Sequence, residues 1–238
     1  MTDFAMSDKD STIENTIQSN GSTFKRILIK THVIMKEDDI VEVVDRYTRD
    51  LLEPNDIVFI SEKATAAAQG RAIPLEEIKP GLLAKFLSNF VIKTKHGIGP
   101  GMPETMQMYI QEAGWFRILF AALIGGFCKV VLKKKGVFYT IAGRKAKSID
   151  GPTPDTIPPY NKYVVLSPED PDKIAKDVSK KIGAKVAIVD INDLEQEVLG
   201  YSDPSMEALD MPDILRDNPI GQGSQRTPLG IIRKEETE

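Results

Sequence analysis

The chain has 238 residues, 41% of them hydrophobic and 28% charged, which suits one large globular domain or two lobes sharing a core. Its net charge of -4 argues against sequence-independent nucleic-acid binding, which draws on Lys and Arg to neutralise phosphates. One cysteine, Cys128, excludes an internal disulfide, and with only two histidines a structural zinc site lacks ligands, so any metal should be a hard cation held by oxygen.

The opening "MTDFAMSDKDSTIENTIQSNGS" is acidic and polar, without the apolar core of a signal peptide, and reads as a mobile tail over residues 1–22 of a cytoplasmic protein. "FKRILIKTHVIM" has the β-branched density of a strand. "DDIVEVVDRYTRDLL" then carries apolar residues at helical spacing behind acids that suit a helix N-terminus, with an end expected near Leu52 before the turn "EPND". Ile57 to Ile60 reads as a buried strand, "ATAAAQGRAI" as a closely packed small-residue segment, and "KPGLLAKFLSNFVI" as a second helix. Three glycines and two prolines between Gly97 and Pro103 exclude regular structure, and a helix is expected from about Glu104.

The apolar run from Ile118 to Leu132 is shorter than a bilayer span and contains Lys129, so it is expected to be buried, with Cys128 as an inert core residue and no membrane partner. "KVVLKKKGVFYTIAG" suggests two strands joined around Lys135 and Gly136, and "DGPTPDTIPPY" an ordered loop or extended connection. Strand "YVVLS", helix "PEDPDKIAKDVSKKIG" and strand "KVAIVDIND" read as a βαβ unit with parallel strands. Ligands gather beyond the carboxyl ends of such strands, which points to Asp190, Asn192 and Asp193.

Near the end, Gly221 to Thr227 combines glycines with the donors Gln222, Ser224, Gln225 and Arg226 ahead of the apolar "LGIIR". Backbone N–H groups brought close by glycine can cradle a phosphate, and a tight turn before a last strand explains the glycines as well. Glu62, Glu104, Asp190 and Asp193 are acidic candidates for a divalent cation, while Lys63 and Arg226 are the candidate catalytic cations. His96 reads as a packing or hydrogen-bonding residue, and no Ser/His/Asp arrangement or nucleophile elbow is present.

Taken together, "THVIMKEDDIVEVV", "DIVFISEKATAAAQGR", "KHGIGPGMPETMQ", "LSPEDPDKIAKDVSKKIGAKVAIVDIND" and "GQGSQRTP" resemble the coenzyme F420-0 gamma-glutamyl ligases in order and separation. The resemblance implies a mixed α/β, two-lobed fold over residues 23–234, followed by a short tail at 235–238, and a homodimer. It further implies amide-bond formation between an amino acid, L-glutamate, and a small carboxylate acceptor, with GTP or ATP and Mg2+ or Mn2+. By the same resemblance Thr31, His32, Val33, Ile34, Glu62 and Lys63 fall where nucleotide is contacted, as does the loop Gly221, Gln222, Gly223, Ser224, Gln225, Arg226, Thr227. Glu104, Asn192 and Asp193 fall at metal ligands, with Gln222 near a second metal.

The chain also departs from that pattern. Ala66 and Ala67 replace the serine and phosphate-reaching lysine of the usual "SKAEGR", and "NDLEQEVLGYSD" replaces the usual "DTxGRPxR". Asparagine at 192 is a neutral ligand where the family carries aspartate. These departures keep open a second reading, a nucleotide-binding protein without turnover.

Overall fold

The computed structural model describes residues 12–91, 99–134, 136–154, 156–192, 196–221 and 225–235. In chain order they form strands β1 (Thr12–Ser19) and β2 (Ser22–Ile29), helix α1 (Ile40–Thr48), strand β3 (Ile57–Ser61), helix α2 (Glu62–Ala68) and strand β4 (Ala72–Pro74). Helices α3 (Leu82–Ser88), α4 (Pro103–Ala113), α5 (Trp115–Val131), α6 (Val137–Ala142) and α7 (Arg144–Lys147) follow, then strand β5 (Tyr163–Val165). Helix α8 (Pro171–Ile182), strands β6 (Lys185–Ile191) and β7 (Gln196–Tyr201), helix α9 (Met211–Ile214) and strand β8 (Leu229–Lys234) complete the chain. The chain divides into two compact units, residues 1–69 with 168–238 and residues 70–167.

The first unit is built on a six-stranded sheet of order β1-β2-β8-β3-β6-β7. Only β3 and β6 pair in parallel; the other neighbours are antiparallel. One face packs beneath α1 and α8 through Val43, Val44, Val58, Ile60, Val178, Val186 and Ile231. The other covers Phe59, Ala187, Val189 and Ile232 with α9 and its flanks. With both faces covered, the central strands read as continuous apolar runs rather than alternating ones, which is why they are conspicuous in the sequence. Each fully buried Val, Leu or Ile contributes about 1.5–3 kcal/mol.

Three expectations change here. Residues 12–19, placed in a mobile tail, form β1, which pairs along its whole length with β2 across a two-residue Asn20–Gly21 turn with both φ values positive. Helix α1 stops at Thr48, short of Leu52, because the N–H groups of Leu51 and Leu52 both return to the Thr48 carbonyl and close a turn. The expected βαβ unit is absent as a parallel pair: β5 pairs antiparallel with β4 in a separate two-stranded sheet, and the parallel neighbour of β6 is β3. Strand pairing is a non-local choice, and the strand–helix–strand order does not determine it. Asp190 and Asn192 nevertheless stand at or just beyond the carboxyl end of a parallel strand.

The second unit is mostly helical, with a core of Leu87, Met106, Tyr109, Ile118, Ala121, Ala146 and Val164. The Arg71 guanidinium joins Glu112 at 2.6 Å and donates from Nε to the Ser167 carbonyl at 2.5 Å. The stretch expected to form two strands around Gly136 instead ends α5 and forms α6. Its β-branched residues are overridden by tertiary packing. At Gly125 a Cβ would lie 2.9 Å from the backbone nitrogen of Phe138, so glycine lets the two helices meet. Nor is the run from Ile118 to Leu132 a buried segment: α5 buries Ile118, Ala121 and Gly125, while Phe120, Leu123, Phe127 and Val130 are exposed and Cys128 is only partly covered.

Candidate active site

Strand register gathers four chain segments at one edge of the large sheet. Ile29 of β2 and Ile60 of β3 both face Leu229, the first residue of β8, and Ser61 stands beside Val189 of β6. The segments leaving β2, β3 and β6, and the one entering β8, therefore emerge together. This is the carboxyl edge of the one parallel pair, β3 and β6, the end at which parallel strands hold ligands.

Thr31 is buried, its N–H donates to the Arg226 carbonyl at 2.9 Å, and its hydroxyl donates to the His32 carbonyl at 2.7 Å. The His32 N–H donates to the Tyr47 hydroxyl oxygen at 3.1 Å, and ring Nδ1 lies 3.1 Å from that same oxygen. Ring Nε2 lies 3.1 Å from Asp38 Oδ2, which also accepts from the Met35 N–H at 2.8 Å. Tyr47 and Asp38 thus hold the shape of residues 31–35. Neither is among the residues singled out from the sequence. Asp38, three residues beyond Met35, is the side-chain-to-backbone turn type that a sequence can signal, whereas the role of Tyr47 is purely tertiary. Ile34 belongs to the apolar core, so its side chain anchors the loop; Val33 is half-buried.

Ser61 donates its N–H to the Pro228 carbonyl at 2.8 Å, tying the end of β3 to the chain entering β8. Glu62 and Lys63 open α2 directly after it, the first buried and the second exposed. Ala66 and Ala67, at the serine and lysine positions of the family pattern, point into packed surroundings and are 0% and 3% exposed.

At the end of β6 the Asn192 amide donates to Asp190 Oδ1 at 3.3 Å, and the Gln196 side chain donates to the Asn192 carbonyl at 2.9 Å. The side chains of Glu62, Asp190 and Asn192 offer oxygen donors, the type a magnesium or manganese ion takes. Among the described residues, no group of three or more His, Cys, Asp or Glu is placed to hold a metal ion.

The loop entering β8 is closed at its base. The Gly221 N–H donates to the Asn218 carbonyl at 3.1 Å, and the Thr227 hydroxyl donates to the Ile220 carbonyl at 2.8 Å. Gly221 and Arg226 both have positive φ, 75° and 55°, and the Arg226 and Gln225 side chains are exposed. Thr31, His32, Glu62, Lys63, Asn192, Gly221, Arg226 and Thr227 are therefore on segments that share one sheet edge. Asp193, Gln222, Gly223, Ser224 and His96 lie outside the described residues. Glu104 belongs to the second unit, half-buried in the first turn of α4, where the helix N-terminus favours a carboxylate.

A family model described as F420-0:Gamma-glutamyl ligase matches residues 28–206 of the 238. The chain belongs to the F420-0:gamma-glutamyl ligase family. No curated protein matches it. The gamma-glutamyl ligase match takes in Thr31, Glu62, Lys63, Glu104 and Asn192 and stops before the 221–227 loop. Arg226 of that loop and Pro228 just after it are tied to Thr31 and Ser61 by backbone hydrogen bonds. Membership of a ligase family supports an enzyme, and the mixed α/β architecture agrees with the fold expected from the sequence.

Proposed function

We propose that the chain is a nucleoside-triphosphate- and divalent-metal-dependent ligase joining an amino acid, L-glutamate foremost, to a small carboxylate acceptor such as coenzyme F420-0. The observation that carries this reading is the common edge shared by Thr31, Lys63, Asn192 and Arg226. A carboxylate is a poor acyl donor until phosphorylated. One acceptor carboxylate oxygen attacks the γ-phosphorus of GTP or ATP, the diphosphate leaves, and the glutamate amine then attacks the acyl carbon, releasing phosphate as the amide forms.

Lys63 and Arg226 neutralise the phosphoryl group in flight, a preorganised electrostatic role. Thr31 ties the 221–227 loop in place through its N–H to the Arg226 carbonyl, and the loop positions the triphosphate through its backbone N–H groups. Asn192, beside Asp190, is suited to hold a magnesium or manganese ion, which supplies positive charge to the phosphates when bound. The test is phosphate release by the purified full chain with GTP or ATP, manganese, glutamate and candidate acceptors. Acceptor-dependent release supports the reading, and no release with any acceptor overturns it.

A second reading, nucleotide binding without turnover, is favoured by the burial of Ala66 and Ala67 where the family carries a serine and a phosphate-reaching lysine. Nucleotide-dependent thermal stabilisation with no amide product supports it, since a ligand selective for the folded state raises stability.

A further inference from the structure

Helix α5 has two apolar sides, and the second unit uses only one. Ile118, Ala121 and Gly125 face its core. On the opposite side, Phe116, Phe120, Leu123, Phe127, Val130 and Val131 recur at steps of three and four and form one continuous stripe. Phe120 is 51% exposed, Phe127 57% and Val130 80%, values far from those of a core. A contiguous exposed patch of this kind marks an interaction surface.

Charge decides what covers it. In a chain of net charge -4, the stretch from Ala113 to Ile149 holds eight Lys or Arg and not one Asp or Glu. Arg117, Lys129, Lys133 and Lys134 are all exposed on α5 or just beyond its end. A second copy seated symmetrically on this face brings the same basic residues against themselves, with no acid in the stretch to offset them. An apolar stripe with cations at both ends of its helix, Arg117 at one and Lys133 and Lys134 at the other, matches a surface that is apolar within and anionic at its rim. That is the boundary of a membrane containing acidic lipids.

We propose that the exposed face of α5 docks the protein on an anionic membrane surface, its aromatic and aliphatic side chains entering the acyl boundary and its basic residues meeting lipid phosphates. Among the described residues no single helix is long and apolar enough to cross a bilayer; α4 and α5 reach that length and hydropathy only as a pair bent by 115° at Gly114, and α4 is committed to the core of the second unit through Met106, Met108 and Tyr109, so α5 would lie along the membrane rather than through it. The inference goes beyond the ligase reading and does not depend on it.

Trp115, the sole tryptophan of the chain, opens α5 and is exposed, which provides a built-in probe. The full chain is mixed with vesicles of phosphatidylcholine alone or of phosphatidylcholine with phosphatidylglycerol, and flotation and Trp115 emission are followed. Flotation with the acidic vesicles and a blue shift of emission, both weakening as salt is raised, are expected. Phe120→Asp with Phe127→Asp should lower partitioning by about tenfold or more with an unchanged circular-dichroism spectrum. Lys133→Ala or Lys134→Ala, which leave the apolar face whole, should each weaken it about fivefold. No association with acidic vesicles overturns the proposal. So does equal association with neutral ones, or a dimer in sedimentation that Phe127→Asp splits while vesicles bind neither form.

Discussion

Thr31 and Arg226, nearly the whole chain apart in sequence, are joined by a 2.9 Å hydrogen bond from the Thr31 N–H to the Arg226 carbonyl. The bond uses only the backbone of Arg226, whose side chain is exposed. Position and chemistry are thereby separated at this residue. Arg226→Ala should leave stability within about 0.5 kcal/mol, as surface substitutions do, and lower turnover about a hundredfold, as does removing one group that stabilises developing charge. Thermal melts and steady-state phosphate release on the same preparations check both halves.

Asn192→Asp restores a charged ligand next to Asp190. Two carboxylates replace the present amide-to-carboxylate hydrogen bond of 3.3 Å, so without metal the variant should melt lower, by roughly 1 kcal/mol of like-charge repulsion. Manganese should reverse the order and bind about tenfold more tightly to the variant than to the parent, because a hard cation prefers the ionised oxygen. Melting curves with and without manganese, and a manganese titration, measure it.

Arg26 is 2% exposed, yet it is fully engaged: it donates to Asn15 Oδ1 at 2.7 Å, to the Ile214 carbonyl at 2.9 Å and to both carboxylate oxygens of Asp217. The hydrogen bonds from Arg26 hold the Asp217 carboxyl below its ordinary value. A lowered folded-state value means that stability is gained above the unfolded-state value and is lost as pH falls through the lowered one. Asp217→Asn should cost about 1–2 kcal/mol at neutral pH, less than for a fully buried pair because the Asp217 side chain is 53% exposed. The variant should also lose part of its acid-side decline, read from urea melts across the acid range.

Gly230 of β8 stands against Phe59 of β3, its cross-strand partner. A Cβ at residue 230 would lie 2.2 Å from the Phe59 ring, which has no exposed surface in which to retreat. Gly230→Ala should therefore cost about 2–3 kcal/mol through overpacking. Phe59→Leu combined with it should cost less than the sum of the two single changes, since the residues share one space. A double-mutant cycle in denaturant tests this, with the expected coupling of opposite sign to the single costs.

The central strands were legible because burial on both faces leaves uninterrupted Val and Ile runs, as in "IVFIS" and "KVAIVDI". Helix α8 was legible from Pro171 at its start and Gly183 at its end. Pairing was not, because Ala72 meets Val165 and Ile57 meets Lys185 across long stretches of intervening chain. The α5–α6 region misled because Val130, Val131, Val137 and Phe138 favour strands locally, whereas the close packing of the two helices at Gly125 is a tertiary contact. The positions of the candidates Lys63 and Asn192 just beyond strand ends could be read locally. The supports of the Thr31 loop, Tyr47 above all, are contacts made only once the chain has folded.

Activation of a carboxylate by phosphoryl transfer is the centre of the proposed chemistry, and oxygen isotope transfer tests it most directly. An acceptor with 18O in its carboxylate is incubated with the protein, nucleotide, manganese and glutamate, and the released phosphate is analysed by mass spectrometry. One labelled oxygen per phosphate, appearing together with the amide, is the predicted result. Phosphate released without label, or amide formed with the label left wholly in the acceptor and water, contradicts the account.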